Sequence, residues 1–186
     1  MKVRVFINRT LNLKKVTYLG FDMDHTLVRY NSQNFEALVF SCVLERLIAD
    51  KAYPKEVRNL KFDFKSSIRG VVIDKKNGNL LKLNRFAAIR ASYHGTKKID
   101  FESQKKLYRS TYIDLGETDR YVAVDTAFSI AHASLFAQLV ELKEQNPNLP
   151  IPNYDSIATD IGDSVDGAHR DGSLKGPVEK YLDKYI

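Results

Sequence analysis

The sequence contains a single cysteine, no long apolar run, no internal repeat and no low-complexity tract. Cys42 alone cannot form an internal disulfide, and this cysteine usage is typical of a reducing cytoplasm. No run of about 18 apolar residues exists, which excludes a membrane-spanning helix of the usual length. Charges interrupt residues 1–15, so we expect no secretory signal there. The sequence therefore predicts a cytoplasmic globular protein.

Acidic residues are missing from residues 1–20, which carry five basic side chains, and the whole chain has a formal net charge of +6. Such an excess attracts nucleic acids, acidic membranes or phosphorylated small molecules. The sequence shows no dense Lys/Arg block and no basic stripe interleaved with aromatic residues. We therefore expect a solvated basic surface and no nucleic-acid partner. The 186 residues, 44% of them apolar, suffice for the core of one ordinary domain.

The hydrophobic pattern predicts a mixed α/β chain. The predicted elements are an edge strand over 3–7, a buried strand over 16–21, a helix over 35–50, a β-hairpin over 68–84 that turns at Lys75-Lys76-Asn77-Gly78, a strand over 120–128, a helix over 129–146 capped by Ser129, a loop over 146–154, a helix around 155–170 and a short helix at the end. A parallel α/β sheet requires further strand–helix units, and the pattern does not clearly supply them. We therefore expect the start of a larger fold.

Two acidic residues stand two positions apart in FDMDHTL, residues 21–27. In an extended segment such side chains point to the same side, about 7 Å apart, so a phosphoryl group can lie between them. Asp22 can then attack phosphorus and Asp24 can exchange a proton with the departing oxygen. A divalent cation, Mg²⁺ above all, would neutralise the pair. The alternative is an ordinary acidic turn or helix cap, but Thr26 favours a catalytic loop because its hydroxyl can orient a carboxylate.

FDMDHTL resembles motif I, Asp-x-Asp-x-Thr, of the haloacid dehalogenase-like phosphatases. Four segments in order resemble the N-terminal region of the cytosolic purine 5′-nucleotidases that prefer IMP and GMP: RVFINRTLNLKKVTYLGFDMDHTLVRY (4–30), RGVVIDKKNGNLLKLN (69–84), ETDRYVAVDTAF (117–128) and VDGAHRDGSLK (165–175). The resemblance implies a HAD-like Rossmannoid α/β core, present here as its first strand and helix, with an inserted α+β cap. It implies a core start over 1–50, a substrate-selecting cap over 51–175, and a return to the core over 176–186.

The resemblance also implies the reaction, which is Mg²⁺-dependent hydrolysis of purine nucleoside 5′-monophosphates through an aspartyl-phosphate. Asp22 would be the nucleophile and a metal ligand. Asp24 would be the general acid/base and would give the metal its backbone carbonyl. We expect Mg²⁺ as the cofactor and a purine nucleotide as the substrate.

Four further residues match substrate-binding positions of that family. Phe128 would stack on the purine, Asp166 would hydrogen-bond its edge, and His169 and Lys175 would line the nucleotide pocket. Without the resemblance, a core phenylalanine and a solvated helix face explain these residues as well.

The sequence also departs from the family pattern at four positions. Gly162 replaces an arginine near the start of the Asp166 helix, and Ser129 replaces an asparagine after the stacking phenylalanine. Leu115 and Asp125 replace an arginine and an asparagine of the allosteric nucleotide site. These changes weaken the case for purine preference and for activation by ATP-like effectors.

IGDSVD, residues 161–166, resembles the Gly-Asp-x-x-x-Asp metal motif of the superfamily. The preceding SIATD is not a convincing buried strand, and two other motifs should come first, so we do not expect a metal there. Only 11 residues follow Lys175, whereas the family's Ser/Thr, lysine and paired-aspartate motifs come later. We therefore expect the N-terminal portion of an enzyme.

Three alternatives stay open. The chain can belong to the same superfamily with another substrate, or transfer phosphate to a nucleoside. It can be an inactive fragment that binds nucleotide or pairs with a separate C-terminal half. The third and least favoured alternative is binding of nucleic acid by the basic surface. The family forms homo-oligomers, so the resemblance also leaves a homo-oligomer open.

Overall fold

The computed structural model describes residues 12–64, 67, 69–109, 112–124 and 129–186, and in them a run of short strands lies between one long helix and a series of helices. The elements are α1 (Ser32–Ala49), β1 (Val71–Asp74), β2 (Asn79–Leu83), β3 (Ile89–His94), β4 (Lys97–Lys98), α2 (Phe101–Leu107), β5 (Tyr121–Val124), α3 (Ile130–Gln145), α4 (Tyr154–Arg170), α5 (Lys175–Lys180) and α6 (Leu182–Tyr185), with 3-10 helices at Leu13–Lys15 and Lys55–Asn59. The chain is therefore mixed α/β, and the predicted helices around 35–50, 129–146 and 155–170 are confirmed.

The described strands form one antiparallel sheet in the order β4-β3-β2-β1-β5. The predicted hairpin is confirmed: β1 pairs with β2, and Asp74 stands opposite Asn79. Gly78 ends the turn with a φ of 68°, a left-handed conformation that glycine adopts at little cost. β5 pairs with the other side of β1, which confirms the described part of the strand predicted over 120–128.

The three long helices share one hydrophobic core with a face of the sheet. Apolar residues recur at helical spacing in α1, where Val39, Val43 and Leu47 are buried, and α3 contributes Phe136 and Leu139. α3 packs against the sheet and α4. The core therefore joins α1 to elements of the predicted cap, while the predicted domain boundaries stay predictions.

Side-chain contacts fix the directions of the helices. Glu36 in the second turn of α1 contacts Ala131 in the first turn of α3, so these two helices begin at the same end of the helical layer. α4 runs antiparallel to α1, because Arg46 binds Asp171 just after α4 while Lys51, beyond the end of α1, binds the mid-helix Asp160. The second half of α4 therefore approaches the end at which α3 begins.

Residues 16–21 do not form the buried strand that the sequence predicts, so this prediction is wrong. None of the described strands pairs with them, and Tyr18 is 91% exposed. A buried strand needs neighbours that satisfy its backbone N–H and C=O groups, and the described strands pair with one another in a separate sheet. The edge strand predicted over 3–7 lies outside the described residues.

No helix among the described residues is both long enough and apolar enough to cross a membrane.

Candidate active site

The acidic loop, residues 22–30, is closed by hydrogen bonds around its two carboxylates. The Thr26 hydroxyl donates to Oδ2 of Asp22 at 3.3 Å, and the Tyr30 hydroxyl donates to Oδ1 of Asp24 at 2.8 Å. The backbone N–H groups of Leu27 and Val28 both donate to the carbonyl of Met23, at 2.9 Å each. Asp22 and Asp24 are exposed. Each carboxylate is therefore oriented by a neutral hydroxyl and stays open to solvent.

Tyr30 anchors the loop to α1. Its ring lies 5.4 Å from the ring of His25 and 5.0 Å from the ring of Phe35, which is in the first turn of α1. Burial and the neighbouring carboxylate of Asp24 raise the pKa of Tyr30 to about 12. At neutral pH the phenol therefore stays protonated and donates its hydrogen bond to Asp24.

The junction of the acidic loop with α1 is fixed from two sides. Asn31 caps α1, since its Oδ1 accepts from the backbone N–H of Asn34 at 3.3 Å. The backbone N–H of Asn31 donates to the carbonyl of Tyr185 at 2.8 Å, and Nδ2 of Asn34 donates to the carbonyl of Lys184 at 2.7 Å. The acidic loop is thereby held where α1 begins and α6 ends.

Glu36 links α1 to α3 through a buried carboxyl group. Its side chain is fully buried, and Oε2 accepts from the backbone N–H of Ala131 at 2.7 Å. Oε1 has no hydrogen-bond partner among the described residues. Burial raises the pKa of Glu36 to about 7, although the N–H groups of α3 and the charge of Arg69 oppose this shift. Ser129 does occupy the N-cap position, but its side chain makes no capping hydrogen bond, and the carboxylate of Glu36 is the acceptor instead. The predicted Ser129 cap is therefore wrong.

His132 lies in the first turn of α3, four positions after Phe128 in the sequence. Its Nε2 atom is shielded from solvent and has no hydrogen-bond partner among the described residues. Burial lowers the pKa of His132 to about 4, against the opposing charge of Asp166. A Cβ atom added at Gly162 would lie 4.0 Å from Cε1 of His132. These relations bring the Gly162 and Asp166 positions of α4 to the beginning of α3.

The predicted substrate-binding residues lie on the second half of α4 and on α5. Asp166 and His169 are exposed on α4. Lys175 begins α5, is exposed, and forms a 3.4 Å ion pair with Glu179. Phe128 lies outside the described residues.

Two clusters result from this arrangement. The acidic loop lies at the start of α1, and Asp166 lies near the start of α3. Glu36 connects the two helix starts, about 7 Å along α1 from Asn31. No hydrogen bond or ion pair joins Asp22 or Asp24 to Asp166, His169 or Lys175 in the described part of the chain. Of the positions that depart from the family pattern, Leu115 is exposed and Asp125 lies outside the described residues.

The IGDSVD segment is helical and takes part in ion pairs. Its Asp163 binds Nζ of Lys51 at 2.8 Å. Asp160, just before it, binds the same ammonium at 3.1 Å and accepts a hydrogen bond from Tyr53 at 3.0 Å. Within the described ranges, no cluster of three or more His, Cys, Asp or Glu side chains could hold a metal ion. The carboxylate of Asp163 therefore forms an ion pair with Lys51, which links the end of α1 to α4.

Sequence reasoning missed the hydrogen-bonding role of Tyr30 and two ionisable residues that have a shielded polar atom without a hydrogen-bond partner among the described residues, Glu36 and His132. A signal for the latter was available, because Glu36 falls on the apolar face of α1 with Val39 and Phe40, three and four positions later. His132 likewise precedes Leu135 and Phe136 at the same spacing. An ionisable residue within an apolar helical stripe is a candidate for a shifted pKa.

Comparisons with known proteins agree with these motifs. The model of the 5′ nucleotidase family matches residues 5–186. A 5′-nucleotidase domain-containing protein of Dictyostelium discoideum is 27% identical over 185 residues, which are 98% of this chain and 31% of that protein. The 5′-nucleotidase domain-containing protein 1 of Homo sapiens is 34% identical over 133 residues, which are 66% of this chain and 29% of that protein. The chain thus matches less than a third of the length of these curated relatives.

Proposed function

Because the chain belongs to the 5′ nucleotidase family, we propose that it carries the nucleophile of a phosphohydrolase acting on purine nucleoside 5′-monophosphates such as IMP and GMP. The observation that carries this proposal is the acidic loop. Asp22 and Asp24 are exposed there, and each is oriented by its own hydroxyl donor. Since the chain covers only part of its relatives, the activity and the substrates of the whole protein are part of the proposal.

The proposed reaction has two steps. A carboxylate oxygen of Asp22 attacks phosphorus, the bond from phosphorus to the 5′ oxygen breaks, and that oxygen receives the proton of the Asp24 carboxyl. Water then attacks the aspartyl-phosphate while the Asp24 carboxylate accepts a proton from it. Inorganic phosphate leaves, and Asp22 is regenerated. Asp24 thus gives a proton in the first step and recovers one in the second.

Thr26 and Tyr30 position the two carboxylates in this scheme. The Thr26 hydroxyl restrains Asp22 so that one oxygen faces the incoming phosphorus. The Tyr30 hydroxyl donates to Asp24 whether that group is ionised or protonated, since a carboxyl keeps an acceptor oxygen in both states. Restraint of reacting groups increases the reaction rate, because even small displacements of the reacting atoms lower that rate strongly.

The donor set of the acidic loop fits Mg²⁺. This ion prefers oxygen ligands and commonly binds through one or two carboxylates together with substrate phosphate and water. A carboxylate oxygen of Asp22 and the backbone carbonyl of Asp24 would hold it. When bound, it would supply positive charge that offsets the repulsion between carboxylates and phosphate.

The nucleoside would lie between the beginning of α3 and the second half of α4. Phe128 would stack on the purine, and Asp166 would accept hydrogen bonds from its edge. Support comes from His132, which follows Phe128 by four positions in the sequence, lies beside Gly162 of α4 and is affected by the charge of Asp166. His169 and Lys175 would complete the pocket, and the exposed ammonium of Lys175 could bind phosphate oxygens.

Phosphate release from IMP by the purified 186-residue chain with Mg²⁺ tests the proposal. Asp22→Asn is the matched control, because the amide keeps the shape of the carboxylate and loses its nucleophilic charge. We expect release that disappears in Asp22→Asn, together with a phosphorylated Asp22 peptide in acid-quenched samples of the active chain. Equal release by both chains would contradict the assignment of Asp22.

A second candidate is a nucleotide-binding chain that turns over only with another chain. The exposed apolar side chains around the acidic loop, including Tyr18, Phe21 and Leu27, favour it because they offer a surface for a partner, a C-terminal half or a second copy. Calorimetry with IMP separates the two candidates. Binding that weakens in Phe128→Ala, without phosphate release, would favour this one.

A further inference from the structure

A basic groove runs between β3 and α2, away from the acidic loop in sequence. Its two adjoining cavities of about 570 Å³ and 300 Å³ share Ile89, Phe101 and Gln104 in their walls. Arg90 and Lys98 line the first cavity. The groove is therefore continuous from the edge of the sheet to the far end of α2.

The segment that forms the basic groove is rich in positive charge. Residues 82–109 contain eight Lys and Arg side chains and two acidic ones, a net charge of +6 that equals the formal net charge of the whole chain. Outside this segment, positive and negative side chains balance. The described residues therefore have an excess of positive charge around β3, β4 and α2.

Four cations of the basic groove make no ion pair with any described residue: Arg90, Lys98, Lys105 and Arg109. Asp100 is the one acidic residue among those lining the two cavities, and its carboxylate caps α2 by accepting from the backbone N–H of Ser103 at 3.0 Å. Arginines and lysines in one groove without carboxylate partners favour an anionic ligand with several charges.

Three exposed aromatic rings accompany these cations. Phe101 is 67% exposed and Tyr112 is 65% exposed, and both line the smaller cavity. Phe86 is 63% exposed, and the turn that carries it is bridged to Tyr112 at Ala88. The guanidinium of Arg85 lies 4.6 Å from the centre of the Phe86 ring. Large exposed rings are costly to hydrate, so a ligand with flat apolar faces would bind them favourably.

We propose that the basic groove binds single-stranded nucleic acid, with phosphates at its cations and bases on its aromatic rings. Cations that follow a backbone and rings that stack on bases are the usual combination for this ligand. An acidic protein segment would use the cations but not the rings. Double-stranded nucleic acid keeps its bases stacked inside the helix and would leave the rings unused as well.

Fluorescence anisotropy with labelled oligo-U and oligo-dT of about 12 nucleotides tests the proposal on the full 186-residue chain. We expect binding that weakens with salt, and a loss of affinity of about tenfold or more in Lys98→Glu/Arg109→Glu. The matched control is Lys55→Glu/Lys180→Glu, which changes the net charge equally at exposed positions outside the groove. We expect less than about a twofold effect there. The RNA and DNA arms distinguish the two sources of the strand.

Phe101→Ala tests the role of the bases. We expect about a tenfold loss of affinity for the oligonucleotides, from the loss of one stacked base, and no loss for heparin, which carries charge without bases. Equal weakening by the groove and control variants would overturn the proposal in favour of general charge attraction. An unchanged oligonucleotide affinity in Phe101→Ala would overturn it in favour of an acidic-polymer surface. Circular dichroism of each variant checks that it is folded.

Discussion

The Oε2 atom of Glu36 accepts a 2.7 Å hydrogen bond from the backbone N–H of Ala131, so a carboxyl group of α1 caps α3. This bond joins the helix that follows the acidic loop to the helix that follows Phe128. A buried carboxyl group at a helix start is favoured by the N–H groups it faces and penalised by its loss of water. In Glu36 the penalty is the larger effect, since its pKa rises to about 7.

Glu36 should make the chain less stable as pH rises. The pKa of Glu36 in the folded chain is about 7, against an ordinary value of 4.5, so between these values the folded chain binds more protons than the unfolded one. Its contribution to the free energy of unfolding is complete below pH 4.5 and falls by about 3 kcal/mol as pH rises through 7. Glu36→Gln removes this dependence and keeps an acceptor for Ala131. Urea unfolding measures the free energy of unfolding of both chains across this pH range. As pH rises, Glu36→Gln should become more stable relative to the unmodified chain. Parallel plots of unfolding free energy against pH would contradict the raised pKa.

His132 should contribute with the opposite sign. Its pKa in the folded chain is about 4, against an ordinary value of 6.5, so the unfolded chain binds more protons between these values. The contribution of neutral His132 is complete above pH 6.5 and is lost as pH falls toward 4, by about 3 kcal/mol at most. His132→Leu cannot be protonated there. Its stability should therefore decline less on acidification than that of the unmodified chain, as urea unfolding would measure.

The two effects overlap and should offset each other. Between about pH 4.5 and 6.5 the unmodified chain should show a flatter stability profile than either single variant. In Glu36→Gln only the histidine contribution remains, so stability should rise with pH. In His132→Leu only the glutamate contribution remains, so stability should fall. Slopes of the same sign in both variants would refute the assignment.

Tyr30→Phe should slow phosphate release without a comparable change in KM. The variant loses the 2.8 Å hydrogen bond to Asp24 and keeps the ring contacts with His25 and Phe35. A less restrained acid/base group should lower kcat by about tenfold. The matched control is Tyr18→Phe, because Tyr18 is also a tyrosine but faces solvent. Steady-state kinetics with IMP would measure both, and an equal effect of the two variants would argue against a positioning role for Tyr30.

Asp163→Asn should leave the Mg²⁺ requirement of phosphate release unchanged. Asp163 binds Lys51, and its side chain is largely exposed, so removing this ion pair should lower stability by less than about 1 kcal/mol. Release of phosphate from IMP over a Mg²⁺ titration gives the first quantity, and urea unfolding gives the second. A marked increase in the Mg²⁺ concentration for half-maximal release would assign IGDSVD to the metal site after all.

Sequence periodicity predicted the elements whose structure depends on local pattern. α1, α3 and α4 follow from apolar spacing, and the hairpin follows from Asn77-Gly78 between β-prone runs. The strand over 16–21 failed because a strand also depends on a neighbour that pairs with it, and residue composition does not encode that neighbour. The Ser129 cap failed because Glu36, far away in sequence, supplies the same hydrogen bond.

The residues of the candidate site also fall into those that the sequence identified and those that only the structure revealed. Asp22 and Asp24 were recognisable because their motif is contiguous, and so was the Thr26 hydrogen bond. Glu36 and His132 required the packing of α1, α3 and α4 against one another. The sequence did not reveal the basic groove, because its cations are dispersed over 82–109. They come together only when β3 pairs with β4 and α2 packs beside them.

The hydrogen bond between Asn31 and Tyr185 brings together two points that are remote in the chain. The segment between Asn31 and Tyr185 therefore begins and ends next to the acidic loop. The position of the acidic loop therefore depends on both ends of this segment, because Asn31 directly follows the loop and Tyr185 ends α6.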